Sequence, residues 1–154
     1  MSVTLVVLRH AKSDWDVQAS DRLRPLAKRG VRQAREAGEW LRTHGPVLEV
    51  ALVSPATRAQ QTWQLAGDPE VDRRDVEEVY TFDGSDLVAV VRTLRDVRSA
   101  ALVGHNPAVE ELIHALTGQW VEMPTSCLAV VELDDWTNAG DRSGRLVAHG
   151  RPPA

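Results

Sequence analysis

The chain has 154 residues, 43% of them hydrophobic and 26% charged, with a formal net charge of -4 and a pI of about 5.7. That is the size and balance of one globular domain with its own core, and a mildly acidic body is a poor partner for nucleic acid or an anionic membrane surface. The single cysteine, Cys127, excludes an internal disulfide and fits a reducing cytoplasm.

No apolar run approaches the roughly 20 residues of a membrane span. No signal-peptide pattern opens the sequence. No Cys/His spacing matches a zinc site, and there is no P-loop, EF-hand or metalloprotease pattern, so neither metal nor cofactor is called for.

Val3–Leu8 is an apolar run without alternation, which predicts a strand buried on both faces. It ends abruptly in Arg9-His10. Open α/β sheets place their ligands at the C-terminal ends of strands. A fixed cation beside an imidazole is therefore well placed there, although a surface loop explains one Arg-His pair equally well. Residues 9–25 then form a long polar stretch with Asp14, Asp16, Asp21, Arg22 and Arg24. A connection of that length is usually functional.

Leu26–Thr43 reads as a helix, with Ala27, Val31, Ala34, Gly38 and Leu41 on one stripe and Gly45-Pro46 as its stop. Val47–Val53 is the second strand. It runs into Ser54-Pro55-Ala56-Thr57-Arg58, where the proline suits a helix start and Ser54 is a candidate cap. Arg58 then sits in the first turns of a helix that starts at a strand end.

Residues 67–75 read as a polar loop and Val76–Tyr80 as a short strand. Ser85–Asp96 is helical, with Leu87, Val90, Val91 and Leu94 on one face. Ala100–Val103 is a further strand, followed by Gly104-His105-Asn106-Pro107. Ala108–Leu116 is a helix with a core stripe of Val109, Leu112, Ile113 and Leu116. Cys127–Leu133 and Arg145–His149, joined by the turn at 139–144, read as an antiparallel hairpin. Residues 1–150 are one domain and 151–154 a frayed tail. Trp40 and Trp63 fall on helices as packing residues, while Trp15 lies in the polar stretch, where it can shape access. Strands alternating with helices predict an α/β fold. It is a three-layer α/β/α sandwich with a mainly parallel sheet and an antiparallel C-terminal hairpin.

Arg9-His10, Arg58 and His105 thus follow three predicted strand ends, and such a fold converges them on one sheet edge. Two arginines and two histidines in one pocket suit a tetrahedral anion. Arginines offer paired donors to phosphoryl oxygens, and a neutral imidazole can attack phosphorus. A second imidazole, if protonated, stabilises the equatorial oxygens.

On Leu8-Arg9-His10-Ala11-Lys12-Ser13, Asp21-Arg22-Leu23-Arg24-Pro25-Leu26 with Gly30, Val53–Thr62 and Val103-Gly104-His105-Asn106-Pro107, the sequence resembles the histidine phosphatase superfamily. Within it the match is to the small phosphohistidine phosphatase (SixA-like) branch. The motifs stand in the family's order across almost the whole chain. The resemblance implies a phosphoglycerate mutase-like fold, with His10 as the phosphorylated nucleophile and Arg9, Arg58 and His105 completing the phosphate pocket. Ala11 stands where the family usually has glycine, so the turn after His10 should have ordinary dihedral angles.

The proton donor stays open. Larger family members use a Glu in the corresponding loop, which implies Glu78. Asp14 is a second candidate, and a protonated phosphoimidazole, whose P–N bond is already labile, can dispense with an acid altogether. Lys12, Ser13 and Arg24 are candidates for the pocket mouth. At this length there is little room for an enclosing cap, which favours phosphate displayed on a protein. The expected activity is a metal-independent phosphohistidine phosphatase acting on a histidine phosphotransfer-type protein. The alternatives are a small-molecule phosphomonoesterase and, in a different class, a non-catalytic phosphate- or phosphoprotein-binding module.

Overall fold

In the computed structural model, which describes residues 2–154, the apolar N-terminal run forms β1 (Val3–Arg9) near the centre of one six-stranded sheet. The remaining strands are β2 (Val50–Val53), β3 (Asp72–Asp75), β4 (Ser99–Gly104), β5 (Leu128–Leu133) and β6 (Arg145–Gly150). Their order is β3-β2-β4-β1-β5-β6. The first four in that order run parallel, and β5 and β6 are antiparallel.

The helices are α1 (Lys28–His44), α2 (Thr57–Ala66), α3 (Gly84–Arg92) and α4 (Ala108–Thr117). Because side chains alternate along a strand, β1 feeds both faces of the sheet. Leu5 and Val7 pack with Leu87, Val91, Leu112 and Ile113 of α3 and α4, whereas Val6 and Leu8 pack with Ala37, Leu41, Ala59 and Trp63 of α1 and α2. This is the three-layer sandwich expected from the sequence, and the apolar stretch Leu5–Leu8 of β1, without alternation, is its direct consequence.

Three local expectations are corrected. The stretch read as a polar loop contains β3, Asp-Arg-Arg-Asp, exposed along its whole length. Charges are tolerated there because β3 is the sheet edge, where they also discourage pairing with another chain. The neighbouring stretch read as a strand is instead a single 3-10 turn at Glu77–Val79, which drives Val79 into the core. Helix α3 stops at Arg92, two turns of chain before the strand β4 begins. After β6, Pro152 and Pro153 are half-buried.

The sheet has its topological switch where β4 lies between β1 and β2. The chain leaves β1 and β2 for helices on one face, and leaves β4 for α4 on the other. The crevice this opens lies at the strands' C-terminal ends. Register fixes what meets there. Arg9 is paired with Gly104, and Val53 with Val103. His10, Ser54 and His105 are therefore the first residues past three adjacent strands.

Candidate active site

His10 is held from both sides. Its backbone N–H donates to the Gly104 carbonyl (3.0 Å), and its carbonyl accepts from Ser126 N–H (3.0 Å). Its ring Nδ1 lies 2.8 Å from the Ala11 carbonyl. A carbonyl only accepts, so Nδ1 carries the proton and Nε2 keeps its lone pair. Burial pushes the His10 pKa down to about 4, with Arg58 and Arg9 adding to the effect and the Ala11 hydrogen bond opposing it. The ring is neutral at pH 7, as a nucleophile requires.

Ala11 is absent from the residues with positive φ, in line with the dihedral expectation. Its N–H donates to Thr62 Oγ1 (2.9 Å), and that hydroxyl donates to the Arg58 carbonyl (2.7 Å). One threonine thus ties the residue after His10 to the helix that carries Arg58. Gly30 sets the next residue. A Cβ there would lie 2.1 Å from the Lys12 carbonyl oxygen, so only glycine lets α1 approach the loop.

His105 is 1% exposed, its ring centroid 5.2 Å from that of His10. Its Nε2 lies 2.8 Å from Ser54 Oγ, while its Nδ1 is buried with no partner. Burial first, and then the neighbouring His10 and Arg58, push its pKa down to about 3. Arg58 is buried at the start of α2. Its Nη1 donates to the Asp21 carbonyl (2.6 Å) and its Nη2 to Asp21 Oδ2 (3.1 Å). Arg9, at the end of β1, donates from Nη1 to the Met123 carbonyl (3.1 Å).

These groups share a cavity of about 300 Å³ whose lining includes Arg9, His10, Arg58 and His105 together with Lys12 and Ser13. Two cationic guanidiniums and a neutral imidazole on its floor make a receptor for a tetrahedral anion.

The histidine phosphatase superfamily (branch 1) model matches residues 5–80, the segment from β1 through Arg58 to Tyr80. Phosphohistidine phosphatase SixA of Escherichia coli is 32% identical over 86% of this chain and 86% of its own length. The chain belongs to the histidine phosphatase superfamily, in its SixA-like branch. Two solved structures agree. One from Nakamurella multipartitia that carries the SixA name superposes with a TM-score of 0.90 at 26% identity, covering 100% of this chain and 98% of its own. The protein histidine phosphatase SixA complexed with tungstate superposes with a TM-score of 0.81 at 27% identity, covering 96% of each chain.

Within this histidine phosphatase pocket, not every expected residue arrives. Glu78 lines a separate cavity between β3 and α3, with Arg74, Thr81 and Asp86. The turn at Glu77–Val79 points Val79 inward and so sends its neighbours elsewhere; Glu77 forms a two-point ion pair with Arg22 (2.7 and 2.8 Å). Asp14 is also outside the lining, its carboxylate accepting from Asp16 N–H (2.9 Å). Arg24 braces the loop instead of lining the mouth. It donates to the carbonyls of Asp14, Val17 and Ala19 and stacks 3.9 Å from the centre of the Trp15 ring.

Conversely, the cavity recruits residues to which the sequence reading gave no role. Asp21, Phe82, Asn106 and Thr125 line it. Tyr80 donates its hydroxyl to Asp21 Oδ2 (2.5 Å). Ser54 does not cap α2, which starts after Ala56; it holds His105. Asp21 and Asn106 stand inside the motifs but gave no signal of their own. Phe82 and Tyr80 come from a loop whose position depends on the turn before it. Among the described residues no helix is long and apolar enough to cross a membrane.

Proposed function

We propose that this protein is a metal-independent phosphatase that passes through a phosphohistidine at Nε2 of His10, with phosphohistidine on a signalling protein as its substrate. The observation that carries the reading is the locked His10 tautomer: Nδ1–H on the Ala11 carbonyl, and an Nε2 lone pair facing a cavity lined by Arg9, Arg58 and His105. His10 Nε2 attacks phosphorus, and the bond to the leaving group breaks with its electron pair going to the leaving atom. Water then attacks the phosphoenzyme and the Nε2–P electrons return to His10. The arginines neutralise the phosphoryl oxygens throughout. Tungstate is a tetrahedral oxyanion, so the tungstate complex of SixA supports an oxyanion-binding role for this fold.

The leaving group points to the substrate class. An alkoxide needs a proton in the transition state. The carboxylate in the lining, Asp21, is held below the usual range by Tyr80 and Arg58 hydrogen bonds, and both imidazoles are neutral at pH 7. A protonated phosphoimidazole departs as neutral imidazole and needs no such donor.

The test offers a phosphohistidine-bearing phosphotransfer protein and a panel of metabolite phosphates to the enzyme, with and without chelator. The expected outcome is a higher kcat/KM on the protein, insensitivity to chelator, and an acid-labile phosphoenzyme, seen by intact mass, that His10→Ala abolishes. A steep preference for metabolites would make the protein a phosphomonoesterase, and binding without turnover would make it a phosphoprotein-binding module.

A further inference from the structure

The cavity is graded in depth. His10 (7% exposed), Arg58 (5%) and His105 (1%) form its floor, whereas Phe82 (54%) and Trp15 (66%) stand at its rim. Asp21 belongs to the rim too, with its side chain 49% exposed. In-line displacement puts the leaving group opposite the nucleophile. With the nucleophile on the floor, the leaving group faces Asp21, Phe82 and Trp15.

That rim is chemically specific. Asp21 Oδ2 is pinned by Arg58 Nη2 and the Tyr80 hydroxyl. Oδ1 takes no hydrogen bond from any described residue, on a half-exposed side chain that lines the cavity. The carboxylate is thus oriented by one oxygen and offers the other as an acceptor. Phe82 is set by its neighbours: its ring centroid lies 5.9 Å from that of His105 and 6.3 Å from that of Tyr80. Trp15 is braced on one face by Arg24. Aromatic rings beside an anchored carboxylate suit a planar cation that donates a hydrogen bond. A further phosphate or carboxylate placed beside Asp21 would meet a like charge.

We propose that Asp21, Phe82 and Trp15 form the leaving-group subsite, where the Asp21 carboxylate accepts the distal N–H of a protonated phosphoimidazole. The inference rests on the phosphohistidine reading and adds what recognises the imidazole. Asp21 holds the proton on the substrate's distal nitrogen, which keeps the substrate in its reactive form. As His10 Nε2 bonds to phosphorus, the P–N electron pair returns to the substrate ring, and neutral imidazole leaves with that N–H still in place. Asp21 gives up no proton. The charged and titratable groups facing Asp21 are Arg58, Tyr80, His105 and His10, with Arg9 and Lys12 also in the cavity lining.

The test compares wild type, D21N, D21E and F82A on phosphoimidazole and on p-nitrophenyl phosphate across pH. The aryl phosphate reports any general damage from disturbing Arg58. For D21N, the phosphoimidazole-to-aryl-phosphate ratio of kcat/KM should fall about tenfold, the worth of one charge-assisted hydrogen bond. The basic limb of its phosphoimidazole profile should move to lower pH. D21E should recover part of the ratio, and F82A should lower it without moving the limb. Equal losses on both substrates with an unmoved limb would make Asp21 a prop for Arg58 only and overturn the proposal. A wild-type enzyme that turns over the aryl phosphate but not phosphoimidazole would instead remove the phosphohistidine reading itself.

Discussion

Ser54 and His105 meet across two parallel strands, with the serine hydroxyl 2.8 Å from the imidazole Nε2. Neither side chain has freedom to look elsewhere: Ser54 is 0% exposed and His105 1%. The Ser54 hydroxyl also accepts from Ala56 N–H (3.2 Å), so it joins the start of α2, which carries Arg58, to the second histidine of the pocket.

Replacing Ser54 with alanine should therefore leave a buried ring nitrogen without a partner. The expected stability loss is about 1–3 kcal/mol, the desolvation cost of an unmade buried hydrogen bond. Because the His105 ring loses its anchor, kcat/KM on an aryl phosphate should drop roughly tenfold to a hundredfold. Urea unfolding and steady-state kinetics on Ser54→Ala check both. A variant with wild-type kinetics would show that packing alone orients His105.

The two imidazoles make a paired prediction for pH. Their folded pKa values, about 4 for His10 and about 3 for His105, lie below the ordinary 6.5. Between those limits the unfolded chain binds protons that the native protein refuses, so stability rises with pH across this window and falls as pH drops below 6.5. Each ring should cost about 2 kcal/mol at pH 5 relative to pH 7. Urea midpoints at the two pH values read this, and the difference should shrink in His10→Asn. For catalysis the acid limb of kcat/KM belongs near pH 4, not near the 6.5 of a solvent-exposed histidine. The alkaline side carries no loss from these rings, since both are already neutral.

Gly30 is the position where α1 presses on the loop after His10. Gly30→Ala places a methyl 2.1 Å from the Lys12 carbonyl oxygen, which is also the acceptor of Ala27 N–H (2.9 Å). Overpacking of this kind costs about 1–3 kcal/mol. The loop lies two residues from His10, so kcat/KM should fall with stability. A gain in stability, as expected for glycine to alanine in an open helix, would contradict the close approach.

Glu78→Gln separates family analogy from this fold. The side chain lines the cavity between β3 and α3, away from His10. Turnover of an aryl phosphate should stay within about twofold of wild type, the range of surface substitutions far from a site. A loss of a hundredfold or more would mean that the loop after β3 swings Glu78 in as the proton donor.

Much of this molecule is legible in its linear pattern. A mostly apolar run of strand-forming residues without alternation reads as buried on both faces, so Val3–Leu8 announced a central strand. Arg9, His10, Arg58 and His105 each follow or open an element at a strand end, which made their convergence readable from order alone. Lys12 and Ser13 follow His10 so closely that the chain had little choice about where to put them.

What only the tertiary structure decided depends on contacts between segments far apart in sequence. Asp21 becomes part of the site because Arg58 and Tyr80, 37 and 59 residues further on, both donate to it. Glu78 leaves the site because Val79, its neighbour, is claimed by the core. Arg24 turns from the pocket because three loop carbonyls need a donor. β3 forms from charged residues because one neighbouring strand supplies its hydrogen bonds and solvent accepts both its faces. Local hydrophobic period specifies which residues are inside. Whether a polar side chain meets substrate or braces the backbone depends on which distant partner satisfies its hydrogen bonds, and the linear pattern does not carry that information.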